Sequence, residues 1–588
     1  MFGGKSLYKY NLDKIYFKNG KDIIPKSLTV IVGPNNCGKS RILKDILELT
    51  TRERPQTVIL RDVDFSLPDS LEELESSYQF NTFKDENGAV YLRTLSSSML
   101  SGHDLHVGAD WEENCSTWLN QKTPNTIKNF CSWFGNFFIT HLSTEDRLRI
   151  IKESPSGNVN ISIGNLLQAF YKEGKVAEDK LRDIIKDAFN LDIKLDFTSL
   201  INLVFRIGSD MDSIPSDPRE ARPILETMEK LDEQGDGLKS FLATILSILV
   251  GNRPILLLDE PEAFLHPPQS YKLGELIAQQ SSSDRQIIIA THSSDLVRGI
   301  LNVKQDITLI RIERTENQNT VSPLNPEEVK SISTDPLLSS SRILEGLFYK
   351  GVVVVEADSD SIFYQRISRQ IRNSDDVHYT HAHNKQTVSK VIAPYKTLGI
   401  RYATIIDFDI LRETDEFKPL LEKAGFIAND VTKILNLQRD IANEIETKDP
   451  KEQLEGITCD IKHLLKDIEA QKTIKNAETI ILETRRRLKK IREDNSPWSN
   501  YKDKGYIALS VVGQQKFIEI YKQCSAKGIY IVPVGELESW LVEYGVPKAS
   551  NKSKWITVAL ERIPTLQVDK EKSPWKFIEE IHNYLFTS

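Results

Sequence analysis

The chain has 588 residues, more than one hydrophobic core usually supports, so at least two domains are expected. Hydrophobic residues make up 39% and charged residues 27%, an ordinary globular composition. A formal net charge of −8 excludes a surface coated in Lys and Arg, although a local basic groove would still suffice for phosphate contact. Apolar runs such as "LTVIVG", "PILLLD" and "GVVVVE" fall far short of the ~18 residues needed to span a bilayer, so no membrane is expected. "MFGGKSLYKYN" lacks the apolar core of a signal peptide. Cys37, Cys115, Cys131, Cys459 and Cys524 are scattered, with no zinc-ligand spacing, and point to a reducing cytoplasm.

"SLTVIV" reads as a buried strand by its β-branched run. It leads into Gly33-Pro34-Asn35-Asn36-Cys37-Gly38-Lys39-Ser40, which fits G-x-x-x-x-G-K-S. Ile42, Ile46 and Leu49 then share one helical face. This strand–loop–helix order is the context a phosphate-binding loop requires. Its amide N–H groups and the helix N-terminus would hold the phosphates of ATP. Lys39 would reach the β/γ-phosphates, and Ser40 would ligate Mg2+.

Residues 52–230 read as mixed, with helical pieces and one clear strand, "FFITHL". Next, "DEQGDGLKSFLATILSIL" opens an apolar helix at Gly235-Asp236-Gly237. It resembles a degenerate ABC signature, with Gly235 or Gln234 near the place of the usual Ser; a plain helix-opening turn is the alternative. The resemblance implies that two heads sandwich ATP, each signature facing the nucleotide of the other. In "RPILLLDEPEAFLHPPQ" a buried strand ends in Asp259-Glu260. Asp259 would hold Mg2+, and Glu260 would orient or deprotonate the attacking water. "RQIIIATHSSDL" delivers His292 to the same sheet edge, where it resembles the switch histidine of ABC-type ATPases. The spacing from Asp259 suits one crossover helix between parallel strands. "STEDRLRI" resembles a segment often found in this ATPase group, and no chemistry is assigned to it.

At Gly351 the pattern restarts. "GVVVVE" is a buried strand ending at Glu356, and Asp360 opens a helix whose inner face is Phe363, Ile367 and Ile371. "TVSKVIAPYKTLGIRYATIIDFDIL" reads as helix, turn and strand, ending in Asp407-x-Asp409. E-x-x-x-D after one strand and D-x-D after a later one resemble the TOPRIM fold, with Ala357 where Gly is common. That resemblance makes Glu356, Asp407, Asp409 and Asp360 the Mg2+ (or Mn2+) ligands. Acidic ends of parallel strands suit a hard cation. Acidic loops capping an ordinary α/β sheet are the alternative, and Asp358 is assigned to solvent.

Residues 413–500 are charged and helical, resembling an antiparallel helical pair inserted into the smaller domain. Its basic cluster, Arg485, Arg486, Arg487, Lys489, Lys490 and Arg492, is a solvated helix face or a phosphate contact. "GIYIVPVGELESWL" then resumes the sheet and leads to Glu536 and Glu538. Lys570, Lys572 and Lys576 follow near the end of the chain, where some relatives place a transition-state lysine. His378, His381 and His383 in "HYTHAH" read as an exposed polar strand, since zinc would need further ligands.

An ABC-type head followed by a TOPRIM domain resembles the OLD (overcoming lysogenization defect) family of ATPase-nucleases. The fold expected is α/β: an ABC-type ATPase domain over 1–345, then a TOPRIM-like parallel domain over 346–588 with the insertion at about 413–500. The resemblance implies a metal-dependent DNA endonuclease with Glu538 helping to hold a second cation. It implies a homodimer or higher oligomer, a DNA substrate and a role in antiphage defence of Gabija, retron or PARIS type. A defence-system partner, protein or retron nucleic acid, is compatible with it. The competing expectation is an ATP-switched scaffold without nuclease activity.

Overall fold

The computed structural model describes residues 10–586, apart from 79, 95–104, 109, 160–162, 252, 283–284, 316–317, 325, 335–340, 373–374, 448–449, 472–475, 495 and 549–551. The chain divides into two compact units, Met1–Phe348 and Tyr349–Ser588.

The first unit is built on a six-stranded sheet: β1 (Leu28–Val32), β2 (Ile139–Leu142), β3 (Ile255–Asp259), β4 (Gln286–Ala290), β5 (Thr308–Thr315) and β6 (Gln318–Pro323). The strand order is β6-β5-β1-β4-β3-β2. Only the β5–β6 hairpin is antiparallel. β1 and β4 are buried at every residue, as their unbroken apolar runs require of strands covered on both faces. Helix α1 (Lys39–Thr51) follows β1 and buries Ile42, Ile46 and Leu49, the face read from the sequence. Further on come α2 (Thr144–Ile150), α3 (Asp236–Leu249), α4 (Pro267–Gln280) and α5 (Ser294–Val303). α4 is the crossover between the parallel strands β3 and β4. Within "FFITHL" only Ile139–Leu142 is strand. Phe137 and Phe138 end a helix, Pro124–Phe138, whose Thr123 cap and buried Phe130 and Phe134 outweigh the β preference of the pair.

The second unit carries a four-stranded sheet: β7 (Gly351–Val355), β8 (Val377–His381), β9 (Arg401–Ile406) and β10 (Ile529–Ile531). Its order is β8-β7-β9-β10, parallel throughout. Helix α6 (Asp358–Ile371) follows β7 and buries Phe363 and Ile367, while α7 (Lys385–Thr397) joins β8 to β9. Where a helical pair was expected, at about 413–500, lie four helices of eleven or more residues: α8 (Thr414–Ala424), α9 (Ala428–Glu446), α10 (Pro450–Gln471) and α11 (Ala477–Asp494); Ser499–Lys504 and Val511–Ser525 are further helices before β10. Only α10 and α11 form the charged hairpin; α9 buries Ile434, Ile441 and Ile445. After β10 come α12 (Lys552–Arg562) and α13 (Trp575–Phe586). No helix among the described residues is long and apolar enough to cross a membrane.

Candidate functional site

Two sets of polar residues lie at the C-terminal ends of the two parallel sheets. In the first unit, the loop from Gly33 to Gly38 passes from β1 into α1. Gly38 sits in the left-handed region at φ 102°, a conformation that favours glycine. Lys39 is buried, and its Nζ donates to the carbonyl oxygens of Gly33 at 2.8 Å and Pro34 at 2.9 Å. Burial pulls its pKa below the ordinary value, opposed by Cys37, Glu260 and Glu262. Ser40 Oγ donates to Asp259 Oδ1 at 2.7 Å, so the strand end of β3 meets the loop of β1. His292 Nε2 lies 3.0 Å from Glu260 Oε1, and this contact holds the Glu260 carboxyl below its usual range. Asn36, Gly38, Lys39, Ser40, Lys44, Glu260 and His292 line one pocket. The structure thus gathers the phosphate loop, Asp259, Glu260 and His292.

Gly235 caps the N-terminus of α3. A Cβ on Gly237 would lie 2.7 Å from the carbonyl oxygen of Phe264, so α3 and the loop after Glu260 fit only a glycine there. Glu260 and Phe264 themselves have φ of 48° and 69°, a strained region for side chains of this kind.

Two residues of this site escape the sequence reading. Arg147 of α2 is wholly buried. Its guanidinium donates to the carbonyl oxygens of Leu142 (3.1 Å), Asp259 (2.7 Å) and Glu260 (2.7 Å), and to Ser240 Oγ (2.9 Å). Burial lowers its pKa to about 10. Glu262 accepts from Thr291 Oγ1 and from the His292 backbone N–H, both at 2.7 Å, and burial raises its pKa. A buried Arg in "STEDRLRI" and a second acid in "DEPEAF" are the only traces in the sequence.

In the second unit Glu356 leaves the end of β7 and accepts from the Asp407 backbone N–H, beyond β9, at 3.1 Å. Burial raises the Glu356 carboxyl to about 7; Lys385 opposes this, while Asp409 and Asp360 add to it. Asp407 is also raised, by burial and then by Glu356 and Asp360. Asp360 accepts from the Ala357 N–H at 3.2 Å. Burial raises Glu538, with Lys552 opposing. Two lysines unmarked in the sequence complete the cluster. Lys385 pairs with Asp409, and Lys552 Nζ lies 3.0 Å from Asp360 Oδ1. Burial lowers the Lys552 pKa, but Asp360, Asp407 and Glu538 overcome it and raise the group overall.

The five acids named from the sequence are therefore neighbours electrostatically, at the ends of adjacent parallel strands. Among the described residues, however, no three His, Cys, Asp or Glu side chains are disposed as a ready set of ligands. Lys385 and Lys552 engage Asp409 and Asp360 with their ammonium groups. The donor chemistry, buried carboxylate oxygen with a local excess of acid, fits a hard divalent cation. Glu536 turns instead to Lys548 at 3.1 Å, and Lys570, Lys572 and Lys576 are exposed, the first two paired with Glu579 and Asp569. His381 ends β8, whose Tyr379 and Thr380 are buried, so the first four residues of "HYTHAH" belong to a half-buried sheet strand, while His383 lies beyond it and is exposed. The His381 and His383 rings lie 4.7 Å apart, and His381 Nδ1 is 3.5 Å from Asp358.

Residues 28–298 match the family model described as "AAA domain, putative AbiEii toxin, Type IV TA system". Residues 347–409 match "Overcoming lysogenization defect protein-like, TOPRIM domain". The chain is 23% identical to the Old nuclease of Escherichia phage P2 over 457 residues, 66% of this chain and 74% of that protein. Among solved structures, the Smc head bound to the C-winged helix domain of ScpA is 14% identical. It covers 54% of this chain and 99% of its own, with a TM-score of 0.32. The SMC head domain from Thermotoga maritima has the same identity and coverage, with a TM-score of 0.30. The two domains imply use of a nucleotide and of a divalent metal. The chain is an α/β protein that joins an AAA-type ATPase domain to a C-terminal OLD-like TOPRIM domain.

Proposed function

We propose that this protein is an ATP-hydrolysing, metal-dependent DNA endonuclease acting in antiphage defence. The observation that carries the reading is the acid cluster of the TOPRIM domain. Glu356, Asp407, Asp409, Asp360 and Glu538 are electrostatic neighbours, with three of the carboxyls, those of Glu356, Asp407 and Glu538, raised by burial. Carboxylates so crowded stay ionised at low cost only with cations among them. Glu356, Asp360, Asp407 and Asp409 would hold one Mg2+ or Mn2+, and Glu538 would help hold another. Such cations stabilise charge on the attacking and leaving oxygens of a phosphodiester. The protein's own part is to fix the acids on rigid strand ends, to keep Asp407 beside Glu356 through its backbone N–H, and to supply Lys552 as a half-buried positive charge.

In the ATPase domain, Lys39 and the loop amides bind the phosphates, Ser40 and Asp259 hold Mg2+, and Glu260, braced by His292, orients water. We infer that Lys39→Ala abolishes ATP binding and that Glu260→Gln retains binding but stops turnover; normal turnover in the latter would overturn the assignment. The nuclease reading is tested by nicking of supercoiled plasmid with Mg2+ or Mn2+. Wild type should cut, less with added salt as phosphate contacts are screened. Asp407→Ala/Asp409→Ala should not cut, yet should hydrolyse ATP at the wild-type rate. Undiminished cutting by that variant sinks the reading.

One observation favours a second reading, an ATP-switched scaffold. Lys385 and Lys552 already neutralise part of the acid cluster, as a purely structural network would. Absence of cutting by wild type under every divalent ion would support it.

A further inference from the structure

We propose that the α10–α11 hairpin is a self-association surface, and that its occupant is the same hairpin of a second copy of this chain. The two helices, 22 and 18 residues long, span roughly 33 and 27 Å. They pack on each other, and Leu464 of α10 is buried. Both helices also carry exposed aliphatic side chains. Leu454, Ile461 and Leu465 on α10, and Ile481, Leu482 and Leu488 on α11, are 39–64% exposed. Leu454 and Ile461 are seven residues apart, as are Ile481 and Leu488. Seven-residue spacing of exposed aliphatic side chains on two paired helices is the pattern of a helical seam that lacks its other half. Single exposed leucines need no explanation; six within one hairpin do.

Charge selects the occupant. α10 carries five acidic and three basic residues, whereas α11 carries six basic and four acidic. A two-fold pairing that lays α11 of one copy on α10 of the other joins opposite charges twice with one surface. Pairing α10 on α10 would oppose like charges. Exposed Arg485 and Arg486 flank the α11 stripe, and exposed Glu455 and Glu469 flank the α10 stripe. A phosphate backbone would satisfy the arginines but leave the leucines in water. A second copy covers both.

The hairpin belongs to the second unit and the nucleotide loop to the first, so the test uses full-length Lys39→Ala protein without nucleotide, examined by sedimentation over a range of concentrations. A two-copy species is expected. Leu454→Glu/Leu482→Glu should weaken self-association by at least about tenfold, with circular dichroism unchanged because both positions are exposed. Arg485→Glu/Arg486→Glu should weaken it as well. Mixing that variant with Glu455→Lys/Glu469→Lys protein should restore pairing between the two, which a folding defect would not allow. A one-chain mass at every concentration would overturn the proposal. So would stripe variants that stay paired but lose binding to a duplex oligonucleotide, which would make the hairpin a nucleic-acid surface.

Discussion

Arg147 shows how much of the ATPase site rests on one side chain that never faces solvent. Its guanidinium gathers the carbonyls of Leu142, Asp259 and Glu260, fixing the strand end that carries both acids. Arg147→Met keeps much of the volume but removes the donors, leaving buried carbonyls unsatisfied. The loss of stability should be on the order of 3 kcal/mol by chemical denaturation. ATP turnover should fall roughly 10- to 100-fold, because Glu260 loses its placement. Unchanged turnover would mean that the loop is held by other means. Lys39, Asp259, Glu260 and His292 were legible in the sequence because their chemistry is encoded in a short motif or at a strand end. Arg147 was not, since its partners are backbone carbonyls that any sequence supplies. Lys385 and Lys552 were hidden for a related reason: each reaches an acid far away in the chain.

At the scale of elements, continuous apolar runs revealed the parallel strands well. β1, β3, β4, β7 and β9 all coincide with runs quoted from the sequence. The antiparallel hairpin Asp192–Asp196 and Asn202–Gly208 did not stand out. Its alternation is broken by charge: Asp192 and Asp196 are buried and satisfied by Arg182 and Arg206. In α13, His582 is buried with Nε2 3.0 Å from Ser368 Oγ of α6. Burial lowers its pKa from 6.5 to about 4. Above pH 6.5 the ring is neutral folded or unfolded, and stability is unaffected. As pH falls below 6.5 the unfolded chain takes up a proton that the fold refuses. The fold then loses about 1.4 kcal/mol per pH unit, on the order of 3 kcal/mol in all, until about pH 4. His582→Gln should flatten that part of the profile when denaturant midpoints are compared from pH 7 to pH 4.5. An identical slope in the variant would show that the ring does not control it.

For the whole molecule, the resemblance of the turn at Gly235 to an ABC signature carries the expectation, open to test, that heads pair around ATP. The loop packing at Gly237 supplies a local reason for its glycine, but Gly235 has open space around it. Glu260→Gln protein should therefore sediment as a larger species with ATP than without. Wild-type hydrolysis per chain should fall on dilution. Constant specific activity down to nanomolar concentrations would assign each head its own complete site. The α/β class was readable because each sheet restarts its own strand pattern. The four helices α8 to α11 were readable only as a helical insertion. Their division into a buried part and a projecting hairpin depends on which faces the sheet covers.

The pairing of Lys385 with Asp409 and of Lys552 with Asp360 bears on how this site can change over generations. Losing either member alone strands a partly buried charge, whereas losing both removes the problem with the pair. Mutational drift at these positions should therefore be epistatic. An Asp360→Asn chain should tolerate Lys552→Met far better than the parent does, and the order in which substitutions are accepted should follow from charge balance before any demand of catalysis.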